Sequence, residues 1–302
     1  MAKGKIRLQV FVSFTFLVLL TVYVIIILFS RSSVKSGEAS DWSLPVLTWE
    51  DGLQLKVVFL NLPEGEATLI LTPLETYLID TGSETSWPVL KTFLDGWKIK
   101  RLDGVFLSSP EDPWSGNAKL LLDHDRVDRF ILGLGWSQKI LFTKQIPSDK
   151  IVIVQSGDSF RLKNGARIDV LNPSEPLSLS PHNQSLVLRL TYGEIRFLFM
   201  GTVDEHSEEA LLRQYDLHTE VLKVSTCGAP WATSEAFLRE SDPQVAVTFA
   251  NCGLSVDDTA TKHRLLKQWV ELYETAEDGV VIFDVHRDDY DVTNIERQQD
   301  HE

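Results

Sequence analysis

Cysteine and positive charge are both scarce in this chain of 302 residues. Its two cysteines, Cys227 and Cys252, form no C-x-x-C pair, so a structural zinc site of the usual kind is not suggested. Lys and Arg number 29 against 43 Asp and Glu. Five of those basic residues and none of the acidic ones lie in residues 1–35. The remainder therefore holds 24 against 43, a formal net of −19. A surface that acidic repels phosphate backbones, and no local basic patch stands out, which argues against direct nucleic-acid binding. The plainer meaning of the charge is solubility. Internal repeats and low-complexity segments are also missing.

Charge is absent altogether from Leu8 to Ser30, where the run VFVSFTFLVLLTVYVIIILF is almost wholly apolar. About twenty such residues cross a bilayer as a helix. The run is long and ends at Ser30-Arg31 without an A-x-A pattern, which favours an uncleaved anchor over a signal peptide. Lys3, Lys5 and Arg7 precede it, and Arg31 and Lys35 follow. That slight excess places the N-terminus in the cytoplasm and the rest outside. The expectation is a single-pass protein of the cell membrane. Its basic flank is 1–7, its transmembrane anchor 8–30, its Ser-rich linker 31–47 and its large domain 48–293, with a polar tail at 294–302. Hydrophobic residues make up 43% of the chain and include eight Trp, ample for one sizeable core.

Within the domain, strand patterns occupy 55–60, 67–72, 76–80, 103–107, 128–132, 151–154, 167–171, 186–191 and 195–200. Helical patterns cover 86–95 and 116–124. From 205 onward the pattern alternates: helix 205–215, strand 219–224, helix 233–240, strand 244–249, helix 260–275, strand 279–284. A β-rich first half and an alternating second half indicate a mixed α/β domain with helices outside the sheets. Trp87, Trp97 and Trp269 lie at helical spacing and are expected in the core.

Five segments then appear in a familiar order: LKVVFLNLPEGEATLI with YLIDTG, QSLVLRLTYGEIRFLFMGTVD, LKVSTCGA, PQVAVTFAN, and RLLKQWVELYETAEDGVV. Over about residues 54–285 the chain resembles the C-terminal metallo-β-lactamase-like domain of ComEC-type competence proteins. The resemblance implies a four-layer αββα sandwich with its site on one edge, and in the family two zinc or manganese ions. In the loop LDGVFLSSPEDPWSGN the family's His-x-His-x-Asp-His positions fall on Ser109, Glu111, Pro113 and Trp114. The bridging Asp falls on Thr202, and the His-His pair on Thr226 and Cys227. Asp80 is kept; its family role is to buttress the site, while an Asp there also suits capping the Thr81-Gly82 turn. Ser, Trp and Pro offer zinc no suitable donor, and a lone Glu111 reads as a solvated carboxylate. The expectation is a domain without catalytic residues and without bound metal.

Trp114 and Trp231 both fall on the loops of that site, where an aromatic is expected to plug the pocket with apolar bulk, lining a binding groove being the other reading. The same resemblance places Cys227 and Cys252 on one edge. A disulfide there suits an extracytoplasmic domain, and two free buried thiols are the other reading. Cys227 with His182 would be a thiolate–imidazole pair only if the two meet. The functional expectation is a membrane-anchored, non-catalytic binding or scaffolding module with a protein partner. The alternative is a metal-dependent, phosphodiesterase- or nuclease-like hydrolase with a rewired site around Glu111, Asp112, His182 and Asp204. Asp204 also suits the N-terminal end of the following helix.

Overall fold

The computed structural model describes residues 47–49, 52–136, 146–249, 251–252 and 257–295. The expected anchor at 8–30 lies outside them. Among the described residues no helix is long and apolar enough to cross a membrane.

Fifteen strands among the described residues form two sheets. The first half supplies β1 (Leu55–Phe59), β2 (Thr68–Leu71), β3 (Thr76–Ile79), β4 (Gly104–Leu107), β5 (Phe130–Gly133), β6 (Ile151–Val154), β7 (Ser159–Arg161), β8 (Arg167–Asn172), β9 (Val187–Tyr192) and β10 (Ile195–Phe199). The second half supplies β11 (Val221–Lys223), β12 (Val245–Thr248), β13 (Glu271–Glu274), β14 (Val280–Val285) and β15 (Tyr290–Ile295). The eight-stranded sheet runs β15-β14-β1-β2-β3-β4-β5-β6, and the seven-stranded one β13-β12-β11-β10-β9-β8-β7. Strands β3 to β6 are mutually parallel, as are β10 to β13. β4 (GVFL) and β5 (FILG) are buried along their whole length, as strands covered on both faces must be.

Three separate apolar clusters define four layers. Phe59, Phe106, Ile168, Phe197 and Phe283 fill the space between the sheets. On the outer face of the first sheet, helix α1 (Trp87–Gly96) buries Val89, Leu90, Phe93 and Leu94 against Leu69, Leu78 and Val105. Each such side chain contributes roughly 1.5–3 kcal/mol of burial. Two short helices, α2 (Asp112–Ser115) and α3 (Ala118–Asp123), follow β4. On the second sheet, α4 (Glu205–Gln214), α5 (Glu235–Ser241) and α6 (Thr259–Lys267) bring Leu211, Phe237 and Leu265 onto Leu198, Leu222 and Ala246.

Several elements differ from expectation. The helix read at 260–275 stops at Lys267. Trp269 turns the chain with φ 60, and Leu272 and Tyr273 enter β13, parallel to β12. Trp269 is 94% exposed and is no core residue, whereas Trp97 is 9% exposed. The helix read at 116–124 is present as α3 (Ala118–Asp123), and a separate short helix, α2 (Asp112–Ser115), precedes it across Gly116-Asn117. β7 and β15 carry little continuous apolar signal because they are edge strands with one wet face; β15 carries the fold to Ile295.

Candidate functional site

β1, β3 and β4 in one sheet and β10, β11 and β12 in the other end together, and the loops after them meet. Three charged groups are buried there: Glu66 at 1% exposure, Lys223 at 3% and Asp80 at 1%. The Lys223 ammonium pairs with the Glu66 carboxylate and donates to the Gly201 carbonyl at 3.4 Å. Asp80 accepts from the Ser108 N–H at 2.6 Å and the Ser108 hydroxyl at 2.7 Å. It therefore ties the end of β3 to the end of β4 and does not cap its own turn. Burial pushes the Asp80 carboxyl up to about 8, and the Glu66 charge adds to that; Lys223 and the Ser108 bonds pull the other way. In a site sealed from water the Lys223 ammonium and the Glu66 carboxylate offset one another, and a second buried negative charge at Asp80 is disfavoured.

Cys227 and Cys252 are joined in a disulfide with Cα atoms 6.2 Å apart. Thr226 (φ 46) and Cys227 (φ 49) are both left-handed, a conformation costly for side chains with a Cβ. The tight turn aims the Cys227 N–H at Glu66 Oε1, 3.3 Å away. That oxygen lies 3.4 Å from Cys227 Sγ and 3.6 Å from Cys252 Sγ.

The remaining motif positions are bound into the fold. Ser109 Oγ accepts from the Glu111 N–H at 3.3 Å. The Pro113 carbonyl accepts from Glu66 N–H at 2.9 Å and the Trp114 carbonyl from Thr81 N–H at 2.8 Å. The Trp114 indole is fully buried in the core between the sheets, and its N–H has no hydrogen-bond partner, so it contributes bulk. The Thr202 N–H donates to Ser185 Oγ at 3.0 Å, and its hydroxyl donates to the His182 carbonyl at 3.1 Å. The Thr226 N–H donates to the Gly201 carbonyl at 3.0 Å. Asn117 clamps the loop with Nδ2 bonds to the Thr81 and Ser83 carbonyls, both 2.7 Å. At Gly65 (φ 90) a Cβ would lie 2.2 Å from the Pro113 carbonyl oxygen, so these loops touch backbone to backbone.

Other expectations are not met. Trp231 is 51% exposed and plugs nothing. The His182 side chain is exposed and Cys227 is disulfide-bonded, so the two form no nucleophile pair. Asp204 instead meets the expectation of a helix-terminal role: it caps α4 by accepting from the His206 and Ser207 N–H groups at 3.0 and 3.2 Å. Glu111, Asp112, His182 and Asp204 do not converge. Among the described residues the one group of three His, Cys, Asp or Glu ligand atoms within 4.8 Å is Glu66, Cys227 and Cys252. Sequence reasoning passed over Glu66, Lys223, Ser108 and Asn117. The first two stood inside quoted motifs, GEATLI and LKVSTCGA, as the acidic and basic members of each.

No family model matches the chain. The chain is 26% identical over 219 residues to ComE operon protein 3 of Bacillus subtilis (strain 168), covering 65% of this chain and 28% of that protein. It is 28% identical over 129 residues to competence protein ComA of Neisseria gonorrhoeae, covering 41% of this chain and 18% of the relative. The chain thus spans less than a third of the length of these relatives. Among solved structures, the metallo-beta-lactamase fold protein YhfI from Bacillus subtilis superposes with TM-score 0.51 at 12% identity, over 73% of this chain and 95% of YhfI. A mutant of the CmlA beta-hydroxylase gives 0.51 at 10% identity, over 80% of this chain and 54% of its own. The domain has the metallo-β-lactamase fold and is related to the ComEC-type competence proteins.

The residues present do not fit the two-metal site that fold implies. The positions that correspond to the family's donors hold three hydroxyls, a proline, a buried indole, a lone carboxylate at Glu111 and the disulfide-bonded sulfur of Cys227, with the Lys223 ammonium buried at the same edge. No reaction step is derived through such ions.

Proposed function

We propose that this is a membrane-anchored, non-catalytic binding or scaffolding module of metallo-β-lactamase fold, working with a protein partner beside ComEC-type machinery. One observation carries the reading: Trp114, at a ligand position of the family, is fully buried between the sheets and hydrogen-bonded through its backbone to Thr81. A two-metal hydrolase needs open coordination positions at that spot. The acidic charge supports a protein partner over a nucleic acid.

The test is metal content. The full chain, purified in detergent without reductant and with zinc and manganese supplied, is passed through gel filtration and measured by elemental mass spectrometry. The expected result is below about one-tenth of an equivalent, since real sites retain their ions through several strong ligands. One or two retained equivalents would overturn the reading.

A further inference from the structure

We infer that Glu66, Cys227 and Cys252 form a zinc site that opens when the disulfide is reduced. The inference goes beyond the preceding reading, which concerns the oxidised chain.

The ligand geometry is already close. With Zn–S near 2.3 Å and Zn–O near 2.1 Å, tetrahedral ligands lie about 3.6 Å apart for oxygen and sulfur and about 3.8 Å for two sulfurs. Glu66 Oε1 lies 3.4 and 3.6 Å from the two sulfurs. Only the sulfur–sulfur separation has to grow, and breaking the bond between them permits that. All three residues are buried, at 1%, 6% and 2% exposure, so little rotamer entropy remains to be lost on binding.

Charge supports the same assignment. Glu66 and Lys223 already cancel. Two thiolates would leave an uncompensated charge of −2 in a dry site, and one divalent ion restores neutrality. The carboxylate then bridges, one oxygen on the ammonium and the other on the metal. Three protein ligands leave a fourth position for water. Two thiolates and a carboxylate at tetrahedral spacing suit zinc better than manganese or magnesium.

The chemistry balances with a dithiol as reductant. The Cys227–Cys252 bond breaks, the dithiol closes into its own disulfide and supplies both electrons, and each cysteine sulfur takes a proton. Zinc then displaces those two protons to solvent.

The experiment uses the full, untagged chain in detergent. It is reduced with a phosphine, desalted without oxygen and titrated with Co²⁺ as a spectroscopic stand-in for zinc. Expected are two titratable thiols, a sulfur-to-cobalt charge-transfer band saturating at one equivalent, and its loss on adding Zn²⁺. The oxidised chain should give no band. Glu66→Gln should keep both thiols and weaken the metal at least about 10-fold, as loss of a ligand does. Two free thiols with no band would overturn the inference, as would a band indifferent to Glu66→Gln. Cys252→Ser should abolish the band; should it fail to fold, the wild-type comparison and Glu66→Gln still decide. Two equivalents held by the oxidised chain would instead overturn the non-catalytic reading.

Discussion

Removing the Lys223 ammonium should cost more than removing its partner carboxylate. In Lys223→Met the carboxylate of Glu66, at 1% exposure, loses its counter-ion, and Asp80 has no positive charge to offer it. Stripping one partner from a buried ion pair costs about 3–5 kcal/mol. Glu66→Gln is milder because a second carboxyl stands ready. Glu66 is one of the causes that raise Asp80, and Lys223 is among those that lower it. Without Glu66 the Asp80 carboxyl ionises more readily and becomes the counter-ion, leaving a cost of about 1–3 kcal/mol for imperfect hydrogen bonding. For a domain of this size, 3–5 kcal/mol lowers the melting temperature by roughly 6–20 °C. The assay is unfolding followed by tryptophan fluorescence, with the disulfide intact in every variant. Glu66→Gln combined with Asp80→Asn removes both carboxylates and should fall to the level of Lys223→Met. The reasoning fails if Glu66→Gln is as damaging as Lys223→Met, or if adding Asp80→Asn changes nothing.

Trp114→Ala should destabilise by about 3–5 kcal/mol, the range for emptying a large core side chain, and Trp231→Ala by no more than about 0.5 kcal/mol because the residue is 51% exposed; chemical denaturation of the two compares them directly. Asp80 titrates near 8 in the fold and near 3.9 unfolded. The stability it lends is therefore full below the unfolded value and is lost as pH rises through about 8. Asp80→Asn should flatten that decline in a series of melts from pH 5 to 9, and an unchanged slope would sink the assignment. Trp269→Gly should stabilise by about 1 kcal/mol, since a left-handed residue with a Cβ is strained and this one is 94% exposed; a lowered unfolding midpoint would contradict this.

The layers were legible because burial on both faces writes unbroken apolar runs, as in GVFL and FILG, and because α1 repeats its apolar residues at helical spacing. β7 and β15 were not, since an edge strand alternates weakly and can satisfy half its backbone in water. The helix expected through 275 failed for a local reason: Leu266 and Trp269 mimic an apolar stripe but face solvent at 65% and 94% exposure. At the site, the positions that correspond to the family's ligands could be named one at a time from the motifs. The Glu66–Lys223–Asp80 cluster could not. Its members lie 14 and 143 residues apart along the chain, and a Glu or Lys in a sequence ordinarily signals exposure. Only the meeting of β1, β3 and β11 at one end turns them into neighbours.

The burial of Trp114 also bears on how this lineage can change. Its indole helps hold the two sheets together, and the carbonyls of Pro113 and Trp114 are hydrogen-bonded to Glu66 and Thr81. A histidine at 114 would open a hole between the sheets before any ion was there to compensate. A histidine at 226 alone would place an unpartnered imidazole, and an aspartate at 202 alone an unpartnered carboxylate, in a closed interior. Each such substitution carries its own loss of stability, and a metal would need several of them at once. The side chains at these positions answer to folding, so selection for stability alone would resist their replacement.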